Sequence, residues 1–317
     1  MRINGREIAQ KILDNLKQKV ARLKKNGIIP HLYIITLTTD AASNAYVSQK
    51  KLKGTEIGAE ITVENLDPKT TTPQLLQKIK LLNKDPKIHG IIVQRPMPSQ
   101  ISEVEIANSI DPTKDVDGFH PNSDFIPPVA LAVLRILEQV FKIKSQIQNS
   151  KFQINSKGQN TNDQNVLNFD NSNLDIILDL DIENSNFFDW LRDQSITVIG
   201  RGVTAGKPII KTFEKTRSDL AVVTSKTKNR EKIMKNSDII IAAVGKPNII
   251  KGENLKNGVI LIGVGMFQGE DGKFHSDYEE DDIKNIVSFY TPTPGGVGPV
   301  NVAMLLSNLI KATENKY

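Results

Sequence analysis

Short β-rich runs alternate with helical stretches through both halves of this sequence, and that alternation restricts the chain to few architectures. In the first half "HLYIITLT", "AEITVENL" and "IHGIIVQRPMP" read as strands. Between them, the polar stretch from Ser43 and "TPQLLQKIKLLNKD" read as helices, the second with Pro73 near its first turn. The amphipathic "REIAQKILDNLKQKVARL" precedes them, and "PPVALAVLRILEQVF" is a helix opened by Pro127 and Pro128. In the second half "SITVIG", "LAVVTSKT", "SDIIIAAVGKP" and "GVILIGVGMF" are strands, followed by an acidic loop around "DYEEDD". A Pro/Gly loop, "TPTPGGVGP", then feeds an apolar C-terminal helix. Strands alternating with helices predict an α/β protein with mainly parallel sheets, and 317 residues favour two domains over one.

A break in composition separates the halves. From Lys144 to Asn186 the chain is dominated by Asn, Gln, Ser and Asp. Such a stretch buries too little apolar surface to offset chain entropy, so residues 144–186 are expected to form a flexible insertion. "NLDIILDLDI" within it offers one further strand.

Composition removes several classes of chemistry. With no cysteine, disulfides, thiolate metal sites and thiol nucleophiles are excluded. Four widely spaced histidines make a His-based metal site a poor expectation, and no metal is expected. A net charge of +5 is scattered rather than gathered in a stripe, which argues against nucleic acid. The N-terminal stretch has no apolar h-region and carries Glu7 and Asp14, and no apolar run approaches a bilayer's thickness. A soluble, cytoplasmic protein without a membrane partner is the expectation.

The glycines Gly200, Gly202 and Gly206 fall as G-x-G-x-x-x-G, one residue longer than the strict dinucleotide fingerprint. A strand precedes them and a helix follows, which is where glycine lets backbone approach a pyrophosphate. A tight turn that binds nothing is the alternative. The next strand ends in Thr224, Ser225 and Lys226 without a carboxylate, and Arg201 lies in the glycine loop. Hydroxyls and basic groups suit a 2′-phosphate, so NADP is favoured over NAD.

Tyr46 and Lys50 fall one helical turn apart on one face. Gln94 lies just before Pro96, and Asp117 in "KDVDG". Loops at the carboxyl ends of parallel strands converge on ligand, so phenol, amine, amide and carboxylate can share a cleft. A lysine kept from water beside a tyrosine has a lowered pKa and can shuttle protons. Taken alone, the pair fits a solvated helix face better than a site. The Y-x-x-x-K pattern of short-chain dehydrogenases is set aside, because here the pair precedes the glycine loop in another domain.

Six segments in one order, "SNAYVSQKKLKGTEIG", "GIIVQRPMP", "DPTKDVDGFHP", "VIGRGVTAGKP", "SDIIIAAVGKP" and "TPTPGGVGPVNVAMLL", carry a resemblance. Together the sequence resembles the bifunctional methylenetetrahydrofolate dehydrogenase/methenyltetrahydrofolate cyclohydrolase family nearly throughout, the insertion excepted. The resemblance implies a folate-binding α/β domain of residues 1–143 plus 290–317, its last helix packed back on it, and a Rossmann NADP-binding domain of residues 187–289. It implies oxidation of 5,10-methylenetetrahydrofolate with NADP, then hydrolysis of the methenyl product to 10-formyltetrahydrofolate, by a homodimer. Lys50 is then the general acid/base and Gln94 its positioning partner. Tyr46 lies against the folate rings, Asp117 binds the pterin, and Pro299 borders the cleft. Arg201 and Ser225 match the positions that hold the 2′-phosphate, and Met266 follows the turn meeting the nicotinamide half.

Five departures accompany the match. The family's Pro-Cys-Thr-Pro-x-Gly segment is "PPVALA" (Pro127 to Ala132), and its Ser after the glycine-loop Arg is Gly202. The Asp of its Asp-Val-Gly turn is Gly263, its Gly-Asp-Val-Asp stretch is "HSDYEEDD", and its apolar residue after Gln94 is Arg95. Two other readings stay open: a cyclohydrolase whose dinucleotide site is degraded by the changes at Gly202 and Gly263, and a non-catalytic folate- or nucleotide-binding scaffold whose insertion recruits a partner.

Overall fold

The computed structural model describes residues 1–37, 41–155, 185–216 and 220–317. The first helix, α1 (Gly5–Lys25), starts where the Asn4 side chain accepts from the Arg6 amide at 3.1 Å. Ala9, Leu13, Leu16 and Val20 recur at helical spacing and are buried as one face. Next come β1 (His31–Thr36), α2 (Ala41–Glu56), β2 (Glu60–Asn65), α3 (Thr72–Lys84), β3 (Gly90–Val93) and α4 (Glu103–Ser109). The three strands pair in parallel in the order β2-β1-β3. Helix α3 is fastened at both ends. Thr71 and Gln74 form a capping box at its start. At its end Lys114 donates from Nζ to the carbonyls of Leu82, Asn83 and Asp85 at 3.1, 2.7 and 2.8 Å. Those bonds hold the loop beyond α4 against the end of α3.

Helix α5 (Pro128–Asn155) runs well past Lys144, where the composition predicted the insertion to begin. Its sequence contains no Gly or Pro after Pro128, and Gln, Lys and Ile continue a helix without difficulty. Residues 156–184, with the "NLDIILDLDI" segment, lie outside the described residues. Then follow α6 (Ser185–Arg192), β4 (Ile196–Ile199), α7 (Gly206–Thr216), β5 (Ala221–Val223), α8 (Arg230–Lys235), β6 (Ile239–Ala242) and β7 (Ile260–Gly263). After these come β8 (Met266–Gln268), β9 (Phe274–Ser276), α9 (Glu280–Ile283), β10 (Phe289–Tyr290) and α10 (Val297–Glu314).

The second sheet is parallel throughout, in the order β10-β7-β6-β4-β5. The chain reverses its direction of travel across the sheet between β4 and β6, which makes their carboxyl ends a switch point. The sequence reads "GVILIGVGMF" as one strand, whereas the structure splits it into β7 and β8. Gly265 breaks it: a Cβ there would stand 2.3 Å from Asp277 Oδ2. Strand β8 instead turns back in an antiparallel pair with β9.

Helix α10 packs against α1 and α5. Apolar nearly all round, with Val300, Ala303, Met304, Leu306 and Leu309 buried, it behaves as a core helix. Helix α5 touches both α10 and α7 and so ties the two sheets together. The chain's start adds a second tie, since the Ile3 amide donates to Tyr290 O and the Tyr290 amide to Met1 O.

Candidate active site

Helix α2 packs on β2 and α10 and presents Tyr46 and Lys50 on one face. Gln94 follows β3 directly, and its amide donates to Ile35 O at 2.8 Å, extending the sheet ladder by one residue. The Lys50 ammonium, 5 % exposed, donates to Gln94 Oε1 at 2.9 Å. Gln94 Nε2 donates to Arg95 O at 2.8 Å, so the amide is held with its oxygen toward the lysine. Burial pushes the Lys50 pKa down, opposed by the charge of Asp117. Its Nζ stands 5.7 Å from the centroid of the Tyr46 ring. An amine so placed gives and takes a proton at a lower pH than a surface lysine does.

The Tyr46 hydroxyl accepts from Asn301 Nδ2 at 2.7 Å, and Gly298 comes close enough that a Cβ would stand 4.0 Å from that hydroxyl. Burial pushes the phenol up to about 12, with Asn301 pulling the other way. Thus the first turn of α10, which holds the half-buried Pro299, reaches the face of α2 that carries Lys50.

Asp117 is half-buried in a loop fixed from several sides. Asp115 Oδ2 accepts from the His120 amide at 2.7 Å, and Asp115 O from Ser123 Oγ at 3.0 Å. Gly118 adopts φ +72°, and a Cβ on it would stand 2.8 Å from Pro127 N. From α10, the buried Asn308 donates to Val116 O at 2.9 Å and Ile126 O at 3.0 Å, gripping the loop on both sides of Asp117. Burial raises Asp115 to about 7. Arg95, the departure next to Gln94, is ion-paired with Glu103 and stacks 4.1 Å over the Phe119 ring. Its charge is therefore answered within the fold. With Val93, Asp115, Asp117 and Phe119 it lines a pocket beside the loop.

The glycine loop leaves the carboxyl end of β4. Gly200 has φ +96°, and its Cβ would stand 2.5 Å from Ala243 O at the end of β6. A Cβ on Gly206 would lie 2.3 Å from Gly200 O. The bare backbone at these two positions brings the loop onto the switch point and opens α7 there, the cradle a pyrophosphate requires. Gly202 is different: nothing lies within 4 Å of its Cβ position, so a side chain fits there. Arg201 and Ser225 are exposed just beyond the paired strands β4 and β5, on the same edge of the sheet. Met266 is exposed at the start of β8.

Two of the sequence departures meet in space. A Cβ on Gly263 would stand 2.7 Å from both Tyr278 Oη and Ser276 Oγ. Tyr278 is fully buried, donates to Thr291 O and has its pKa raised by burial. Glycine at the end of β7 thus makes room for the tyrosine of "HSDYEEDD", one exchange of volume rather than two losses. Asp277, in the same stretch, is wholly buried. Its carboxylate accepts from the amides of Val244 at 3.0 Å and Lys246 at 2.9 Å, fixing the loop after β6. Burial raises its pKa.

The structure therefore brings Tyr46, Lys50 and Gln94 together, with Asp117 and the turn holding Pro299 beside them. It gathers Gly200, Arg201, Gly202, Gly206, Ser225 and Met266 along the carboxyl edge of the other sheet. Sequence reasoning passed over Asn301, Asn308 and Asp277. The two asparagines fall two turns apart on a helix otherwise almost wholly apolar, and a polar residue in such a helix is the signal that singles them out. Asp277 sits among acids with nothing to mark it.

Two family models match the chain: "Tetrahydrofolate dehydrogenase/cyclohydrolase, catalytic domain" over residues 3–117, and "Tetrahydrofolate dehydrogenase/cyclohydrolase, NAD(P)-binding domain" over residues 184–317. The bifunctional protein FolD of Acetivibrio thermocellus is 34% identical over 98% of this chain and 96% of its own length. That of Staphylococcus saprophyticus is 31% identical over the same shares. The bifunctional FolD methylenetetrahydrofolate dehydrogenase/cyclohydrolase of Campylobacter jejuni has a TM-score of 0.81 at 29% identity, covering 100% of this chain and 99% of that one. The Trypanosoma brucei enzyme, solved with NADP cofactor and inhibitor, has a TM-score of 0.76 at 25% identity, covering 99% and 97%.

Proposed function

Because the chain belongs to the tetrahydrofolate dehydrogenase/cyclohydrolase family, we propose that it oxidises 5,10-methylenetetrahydrofolate with NADP and hydrolyses the methenyl product to 10-formyltetrahydrofolate. Residues 1–143 with 290–317 form the folate-binding unit in this reading, and residues 187–289 the nucleotide-binding unit. In this reading the protein works as a homodimer, as the family resemblance implies, and in the cytoplasm.

The observation that carries the reading is the buried Lys50–Gln94 pair beneath the Tyr46 ring, on the approach to Asp117. Tyr46 offers a flat face to the folate rings, and Asp117 offers a carboxylate to pterin N–H donors. Pro299 closes the side of the cleft formed by α10. NADP, when bound, supplies the hydride acceptor. Arg201 and Ser225 would hold its 2′-phosphate, Gly200, Gly202 and Gly206 its pyrophosphate, and the turn before Met266 its nicotinamide half. That step needs orientation more than acid or base.

Hydrolysis is where Lys50 acts. Water adds to the methenyl carbon and loses a proton to the neutral Lys50 amine. The resulting ammonium returns that proton to the ring nitrogen as its bond to carbon breaks. The carbinol hydroxyl loses its proton to solvent and becomes the formyl oxygen, so one proton is released overall. Gln94 accepts from Lys50 throughout and keeps Nζ aimed at the cleft.

A cyclohydrolase with a ruined nucleotide site is the second reading. The fit of Tyr278 against Gly263 and the close-packed glycine loop both favour a rebuilt site over a ruined one. Purified chain, given 5,10-methylenetetrahydrofolate with NADP and with NAD in parallel, separates them. NADP reduction followed by 10-formyl product supports the bifunctional reading. Reduction of neither cofactor, with methenyl hydrolysis intact, favours the second.

A further inference from the structure

Asn301 has no role in the reading above, yet it makes the one hydrogen bond recorded for the Tyr46 hydroxyl among the described residues. An amide NH₂ only donates, so the phenolic oxygen is the acceptor in this bond. The phenol's own proton then points away from Asn301, and no acceptor for it is found on the described residues. Tyr46 lies between α2 and the first turn of α10, with the Lys50 amine 5.7 Å from its ring centroid. A phenol whose oxygen already accepts from Asn301 keeps its O–H free to donate to a ligand on the side away from that residue. Burial holds the phenol protonated well above neutral pH, so the donor persists across the working range.

We propose that Asn301 is a positioning residue that sets the polarity of Tyr46, turning its O–H into the cleft to donate to a carbonyl or ring-nitrogen acceptor of the bound folate. The inference rests on the folate reading and adds to it a fixed donor and the residue that fixes it. Tyr46 then recognises the substrate by hydrogen bonding as well as by its ring face. Asn301 itself touches no reacting atom.

The test exploits a substitution that keeps shape and inverts polarity. Asn301→Asp replaces the donating NH₂ by an accepting oxygen, so the phenol donates backwards to the new carboxylate and its proton leaves the cleft. Asn301→Ala removes the bond and leaves the phenol free to turn either way. The full chain is assayed for 5,10-methylenetetrahydrofolate oxidation at saturating NADP. Asn301→Asp should raise KM for the folate about tenfold and Asn301→Ala about threefold, with kcat changed little. A residue that only packed would give the reverse order, because Asp matches Asn in shape and Ala leaves a hole. In a Tyr46→Phe background the two variants should become equal, their effects on KM falling below about twofold. Equal effects in the native background, or full effects surviving Tyr46→Phe, overturn the inference while wild-type activity leaves the folate reading standing. A wild-type chain that neither oxidises nor binds the folate overturns both.

Discussion

Lys50 donates from Nζ to Gln94 Oε1 across 2.9 Å, in a place where neither side chain is more than a tenth exposed. The lysine comes from a helix and the glutamine from the end of a strand, and the glutamine's other end is tied to Arg95 O. One N–H of the amine is thus committed to the glutamine. The same burial that suits it to proton transfer makes it a burden on the fold.

That burden has a pH signature. Burial lowers the folded-state pKa of Lys50 below the ordinary lysine range reached on unfolding. Between the two values the unfolded chain holds more protons, so this residue's contribution to stability rises with pH. Its penalty is full below the folded value and gone above the unfolded one. Wild type should therefore gain stability relative to Lys50→Met as pH rises toward about 10, the ordinary lysine value. Melting both proteins across that range checks it; a constant or shrinking difference contradicts it.

Asp115 gives the opposite slope in a different window. Burial raises its carboxyl to about 7, above its unfolded value, so the folded chain holds the extra proton between those values. Stability from this group is full at the acid end and falls as pH rises to about 7. Asp115→Asn keeps a carbonyl for the His120 amide and removes the titration. The wild-type protein should lose ~1.4 kcal/mol per pH unit relative to this variant across the window. Denaturant titrations at several pH values measure it, and parallel stability profiles would contradict it.

Asn308 connects the last helix to substrate binding. Replacing it with Leu leaves the Val116 and Ile126 carbonyls unanswered on either side of Asp117. Stability should fall by about 2 kcal/mol, and KM for the folate should rise while KM for NADP stays near wild type. Urea unfolding and steady-state kinetics together check this. An equal rise in both KM values would contradict a role confined to the Asp117 loop.

The glycine loop separates two kinds of glycine. Gly206→Ala sets a Cβ against Gly200 O and should abolish NADP binding. Gly202→Ser enters open space and should change stability by less than about 0.5 kcal/mol while keeping NADP binding. Calorimetric titration with NADP distinguishes the pair; loss of binding in both would contradict the geometry.

The parallel α/β pattern was legible because apolar runs and helical periods alternate without interruption in both halves. That Tyr46 and Lys50 share a face was legible from their helical spacing, and Gln94 and Asp117 stood out at strand ends, but their roles came from the family resemblance and not from topology. Other features depend on packing between segments far apart in sequence. Gly263 reads as a loss until Tyr278 is seen filling its space, and Asp277 is one acid among several until the Val244 and Lys246 amides are seen to converge on it. Asn301 and Asn308 break an apolar helix, but only the fold shows that one meets Tyr46 and the other the Asp117 loop. Helix α5 outran its expected end because composition reports solubility more directly than helical capacity.

The central claim is that Lys50 carries the proton traffic of hydrolysis and is dispensable for hydride transfer. The most direct measurement gives Lys50→Met 5,10-methylenetetrahydrofolate and NADP, then follows NADPH, the methenyl species and 10-formyltetrahydrofolate in one reaction. NADPH should still form, the methenyl species should accumulate, and 10-formyltetrahydrofolate should not exceed the uncatalysed yield. Formation of 10-formyltetrahydrofolate at the wild-type rate would contradict the account.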